Sequence, residues 1–100
     1  MNILINEVEQ IIQYSEDNFE QFNSNFMAVR AAERDLELVG EIIGKVNKFY
    51  PEIKIHSSED IIGLRNILAH AYDVIDPAIL WGIMLDDIPI LKLELKKVKQ

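Results

Sequence analysis

Between residues 29 and 50, apolar side chains recur at Val29, Ala32, Leu36, Val39, Ile43, Val46 and Tyr50, spaced 3, 4, 3, 4, 3, 4. That alternation returns one residue per turn to the same side of an α-helix, whereas a strand needs a period of two. The spacing predicts a long helix with one apolar seam, widened by Ile42 and Phe49. Charges at Arg30, Glu33, Arg34, Glu37, Glu41, Lys45 and Lys48 fall off the seam. A seam of this length is stable in water only when other elements cover it. Pro51 ends the helix, because proline lacks an amide donor and restricts the residue before it. Gly40 and Gly44 each cost about 1 kcal/mol relative to alanine inside a helix. Being four apart, they offer room for a close neighbour.

The remaining segments also carry helical spacing. Leu4, Val8, Ile11 or Ile12, Phe19 and Phe22 lie close to one face and predict a helix from about residue 2 to about residue 22. Asn23-Ser24-Asn25 punctuates it, since these side chains bond their own backbone. Ser57-Ser58-Glu59-Asp60 reads as a third start, with a serine cap and acids at the positive helix end. The helix that follows carries Ile61, Leu64, Leu68 and Ile75, with Ala71 or Tyr72 filling the gap. Asp76-Pro77 starts a fourth helix of about ten residues, and Asp87-Ile88-Pro89 repeats the signal for a fifth with Ile88, Leu91, Leu95 and Val98. The fourth is apolar on most sides (Ile79, Leu80, Trp81, Ile83, Met84, Leu85), which suits a central position or an oligomer interface. Ile53-Lys54-Ile55 alternates but is too short to build a sheet. The expected architecture is an all-α, up-down bundle of about five helices in one domain over residues 1–100, with two long antiparallel helices first.

Composition removes several function classes. A hydrophobic content of 49% excludes a disordered chain, and the absence of cysteine excludes disulfides, thiolate zinc sites and a cysteine nucleophile. No stretch of about 20 residues is free of charge, so no transmembrane span is expected. The first residues lack a basic leader, so a cytoplasmic protein is the expectation. The net charge is −7, and residues 1–60 carry all of it (12 acids against 5 bases). Residues 61–100 balance at five and five, and the last stretch is locally basic through Lys92, Lys96, Lys97 and Lys99. An overall acidic balance gives weak non-specific attraction to nucleic acid. There is no phosphate-binding glycine loop, no His-Glu-x-x-His and no Gly-x-Ser-x-Gly; the two histidines, His56 and His70, lie far apart, so no metal site is expected. Acid pairs such as Glu16-Asp17 and Asp86-Asp87 read as helix ends and solvated faces.

One segment gathers chemistry: Leu64-Arg65-Asn66-Ile67-Leu68-Ala69-His70-Ala71-Tyr72-Asp73. A histidine with a pKa near 6.5 can take and return a proton at neutral pH. An arginine keeps its charge and presents a planar fork to phosphate oxygens. Together they suit transphosphorylation in RNA: His70 receives the proton of a ribose 2′-hydroxyl, and Arg65 stabilises the extra charge on the crowded phosphate. That chemistry needs no cofactor. On an ideal helix, residues five apart diverge by about 140° and residues seven apart by only about 20°, so Arg65 faces Tyr72 more nearly than His70. A shared site needs the arginine to reach around, a helix distortion near the motif, or a second copy that completes the pocket; the last is favoured, and a symmetric dimer is expected. Each residue alone also has a plainer role. His70 suits a satisfied core or surface histidine, Arg65 a helix salt bridge with Glu41 or Asp73, Tyr72 a packed ring, and Trp81 a core or interface side chain.

These residues carry a resemblance. Gly63-Leu64-Arg65-Asn66-Ile67-Leu68-Ala69-His70-Ala71-Tyr72-Asp73 resembles the signature of HepT-like toxins in the HEPN ribonuclease superfamily. Ala28-Val29-Arg30 and Leu38-Val39-Gly40-Glu41 resemble its second helix, and Trp81 with Asp87-Ile88-Pro89-Ile90-Leu91 its closing helices. The resemblance implies a helical homodimer acting as a metal-independent RNA endonuclease. It also implies a cognate minimal nucleotidyltransferase antitoxin of the MntA type. Arg65 and His70 correspond to the catalytic pair, Asn66 and Glu41 to supporting groups, and Tyr72 to the acceptor of AMP. His56 and Ala71 depart from the family's common tryptophan and glycine at those places.

Two rival readings belong to other classes. A non-catalytic helical partner that docks a nucleotidyltransferase or its substrate agrees with the charge of −7. A plain helical dimerisation module predicts Arg65 and His70 pointing apart.

Overall fold

The computed structural model describes residues 1–55, 59, 61–63, 66 and 76–98. Among them every regular element is helical, as the apolar spacing predicts: α1 (Asn2–Tyr14), α2 (Phe19–Ser24), α3 (Phe26–Phe49), α4 (Pro77–Gly82), a π turn (Ile83–Asp87) and α5 (Ile88–Val98). Glu59, residues 61–63 and Asn66 are helical as well.

The seam of α3 behaves as its spacing requires over its first four turns. Asn25 caps the helix, its Oδ1 accepting from the Ala28 amide at 3.1 Å. Val29, Ala32, Leu36, Val39 and Ile43 are buried. Past Ile43 the cover thins: Val46 is half-buried, and Tyr50, expected to close the seam, is 55% exposed beside exposed Phe49. A Cβ added at Gly44 would meet nothing within 4 Å, so Gly44 is not a point of close approach.

The first expected helix is two helices. Residues 8, 12, 15, 19 and 22 continue a 4, 3, 4, 3 seam, but the backbone breaks after Tyr14. Glu16 and Asp17 adopt left-handed φ values of 55° and 54°. The Asn18 side chain then accepts from the Gln21 amide at 3.2 Å and starts α2. Two successive non-glycine residues in that region cost on the order of 1 kcal/mol each. The return is aromatic packing: Phe19 and Phe22 reach Trp81 of α4, with ring centroids 6.3 and 5.1 Å away. Trp81 is only 9% exposed, which makes it a core residue.

The fourth and fifth expected helices run together. Pro89 cannot donate to the residue four before it, and its ring crowds that carbonyl. The π turn directly ahead of it widens the backbone, with the Ile88 amide bonding back to the Ile83 carbonyl. The chain therefore passes the proline without stopping. The core is shared among all elements: Ile5 and Val8 from α1, Phe22, the α3 seam, Ile61, then Leu80, Met84, Ile88 and Leu91. Ile79 and Leu85 leave part of the 79–85 surface uncovered. Lys92 of α5 donates to Glu9 of α1 at 2.8 Å and ties the two ends of the chain.

Candidate functional site

The residues directly ahead of the motif are part of the core. Ile61 is fully buried, so the helical residues 61–63 are anchored in the bundle just before Arg65. Asn66 is helical and exposed, with an interaction partner. Glu41 sits half-buried on α3, one residue past buried Gly40, and it too is engaged with a partner. The other residues predicted to carry chemistry, Arg65, His70 and Tyr72, lie outside the described residues, as do His56 and Ala71.

Among the described residues several open grooves flank the bundle, and two of them bear on function. One, of about 770 Å³, lies between residues 52–54 and α5, where Lys54 and Lys97 alternate with Glu52 and Glu94 beside Ile90 and Leu93. Its charges balance, so it offers no strong field to a polyanion. The second, of about 520 Å³, lies between α1 and α3 and is mostly apolar, with Glu7 and Asp35 as its acids. Among the described residues, no group of three His, Asp or Glu side chains is placed to hold a metal ion. Among them, no helix is long and apolar enough to cross a membrane.

The second groove holds a feature that the sequence reading missed. Asp35 is only 6% exposed on α3, and its carboxyl shares a hydrogen bond with Glu7 of α1. Burial, then that hydrogen bond and the neighbouring Glu7 charge, push the Asp35 carboxyl up to about 7, against a smaller opposing pull from Arg34. A signal was present. Asp35 falls on the series Ala28, Ala32, Asp35, Val39, and Glu7 falls between Leu4 and Ile11, so each acid interrupts an apolar stripe.

Comparison with known proteins bears on the motif. Residues 4–98 match the family described as Ribonuclease HepT-like. "Putative RNase MJ1380" of Methanocaldococcus jannaschii is 32% identical over 97 residues, covering 95% of this chain and 89% of its own. "Putative RNase TTE0752" of Caldanaerobacter subterraneus subsp. tengcongensis is 33% identical over 86 residues, covering 83% and 75%. "Putative RNase MJ0125" of M. jannaschii is 29% identical over 100 residues, covering 95% and 84%. No solved structure is a significant match. The matched region takes in the helical core, the Arg65-to-Tyr72 segment and the closing helices alike, and the chain belongs to the HepT-like ribonuclease family.

Proposed function

We propose that this protein is a metal-independent endoribonuclease, the toxin of a HEPN toxin–antitoxin pair, acting in the cytoplasm as a homodimer. The observation that carries the reading is the family match running across residues 4–98, through the Arg-x-x-x-x-His-x-Tyr segment. His70 takes the proton of the ribose 2′-hydroxyl, whose oxygen attacks the adjacent phosphorus. The bond from phosphorus to the 5′-oxygen breaks, a proton returns to that leaving oxygen, and the products are a 2′,3′-cyclic phosphate and a 5′-hydroxyl. Arg65 holds the non-bridging oxygens and offsets the charge that grows on them. Because that arginine supplies the positive charge, the step requires no Lewis acid. Glu41 and Asn66 orient Arg65 and the phosphate.

Residues five apart on a helix diverge by about 140°, so a second copy completes the pocket and sets two motif helices side by side. Silencing follows from the same chemistry. A minimal nucleotidyltransferase antitoxin transfers AMP from ATP to the Tyr72 oxygen and releases pyrophosphate. The added anion and its bulk beside Arg65 and His70 exclude the RNA phosphate.

The test is cleavage of RNA by the purified parent in excess EDTA, beside Arg65→Ala and His70→Ala. Loss of at least about 100-fold in rate in each variant is expected. Equal cleavage by parent and variants overturns the assignment. Intact RNA with the parent, together with tight binding to the transferase, favours the non-catalytic partner.

A further inference from the structure

The α1–α3 groove brings together features that the ribonuclease reading does not use. Its floor holds Asp35, more than nine-tenths buried, and Glu7 faces it from α1. Its walls are apolar, from Ile11, Ala28 and the rim residues Tyr14 and Met27, each 77% exposed. A carboxylate buried this deeply ordinarily has a cationic partner. Here the side chain that meets Asp35 is a second acid, and no cationic side chain lines the groove among the described residues.

Among the described residues the base that acts on Asp35 is Arg34, one residue along α3, 67% exposed, with its guanidinium 3.8 Å from Glu37. Tyr14 is the other titratable side chain that lines the groove among the described residues. The groove also belongs to the half of the chain that holds the whole net charge of −7, and that field favours cations over anions. A volume of about 520 Å³ far exceeds the roughly 30 Å³ share of one water and falls in the range of small-ligand sites.

We propose that the α1–α3 groove binds an alkylguanidinium or alkylammonium group, its stem against Tyr14 and Met27 and its cationic head between Asp35 and Glu7. The incoming cation replaces the hydrogen bond between Asp35 and Glu7, and the proton held on Asp35 leaves to solvent. Two hydrogen-bond acceptors at the end of an apolar slot match a charged head on a short stem better than they match a bare metal ion, which would need more oxygen ligands. The same head is carried by free organic amines and by the arginine or lysine of a partner protein.

The experiment is an NMR titration of the full-length protein with n-butylguanidinium, repeated with Asp35→Asn and Glu7→Gln and with the tripeptide acetyl-Ala-Arg-Ala-amide. Shifts confined to α1 and the first half of α3, saturating in the millimolar range or below, are expected for the parent. Asp35→Asn weakens binding about tenfold or more, and Glu7→Gln by less, since Asp35 is the buried partner. Binding by the parent weakens about tenfold from pH 8 to pH 6, because protons compete for the pair. Both variants keep the parent's helical spectrum, so lost binding is not lost folding. Tighter binding of the tripeptide assigns the site to a partner's side chain, and tighter binding of n-butylguanidinium to a free amine. Absence of saturable shifts, equal binding by parent and Asp35→Asn, or displacement of the probe by low millimolar magnesium overturns the proposal. Ribonuclease activity is not a readout of this test, so its outcome is independent of the catalytic reading.

Discussion

The rings of Phe22 on α2 and Trp81 on α4 lie 5.1 Å apart at an angle of 31°, joining the first part of the chain to the last. Phe22 is fully buried, and its side chain fills space that neighbouring helices cannot close by themselves. Phe22→Ala is expected to destabilise the protein by about 3–5 kcal/mol in urea unfolding. The Trp81 fluorescence shifts to the red as water reaches the indole. An unchanged midpoint would falsify the central role of this contact.

The left-handed turn between α1 and α2 predicts a gain. Asp17 holds a φ of 54°, a region where glycine pays no steric cost. Asp17→Gly is expected to raise stability by roughly 0.5–1 kcal/mol, the relief of strain exceeding the added freedom of the unfolded chain. Thermal unfolding measures it, and a fall in the midpoint contradicts the assigned backbone.

Asp35 makes stability depend on pH in a stated direction. Burial beside Glu7 pushes its carboxyl up to about 7 in the folded protein from an ordinary 3.8, so between those values the folded state holds a proton that the unfolded state has lost. Below pH 4 both states are protonated and this group contributes no dependence. Between about pH 4 and pH 7 stability falls as pH rises, and above pH 7 the full penalty remains. Asp35→Asn removes the penalty and is expected to stabilise the protein by on the order of 2 kcal/mol at pH 8, with little change at pH 4. Equal effects of the substitution at both pH values argue against a protonated Asp35.

Lys92 and Glu9 contact each other at 2.8 Å, yet both side chains are nearly half exposed. Water and salt screen such a pair, and fixing two long side chains costs entropy. A double-mutant cycle with Lys92→Ala and Glu9→Ala is expected to give a coupling of about 0.5 kcal/mol that disappears in 1 M salt. A coupling several times larger shows that the α1–α5 tie is an organising contact.

Tyr72→Phe separates catalysis from its control. The variant retains the ring and loses only the oxygen that accepts the nucleotide. RNA cleavage at the parent's rate is expected, together with no gain of about 329 Da on co-expression with the cognate transferase, while the parent gains it. A variant that still gains the mass places the modification elsewhere.

Much of this protein was legible one helix at a time. The α3 seam, the break at Asn23-Ser24-Asn25 and the Asp76-Pro77 start all follow from contacts within a few residues of each other, which periodicity and capping chemistry report directly. The Arg65–Tyr72 segment stands out in the sequence by its residue types alone, and Arg65, His70 and Tyr72 lie outside the described residues. The tertiary structure decided the rest. Residues 8 to 22 keep an unbroken helical rhythm, yet the chain turns at residues 15–18 because Phe19 and Phe22 gain a distant tryptophan that no local pattern contains. Pro89 reads as a stop, yet a wider turn before it lets the helix continue and bury Met84, Ile88 and Leu91. Asp35 meets Glu7 only because one face of α1 settles on α3, and that choice buries the Asp35 carboxyl against a second acid and pushes it up to about 7. Local spacing determines which residues share a helix face; the packing of whole faces determines which of them meet.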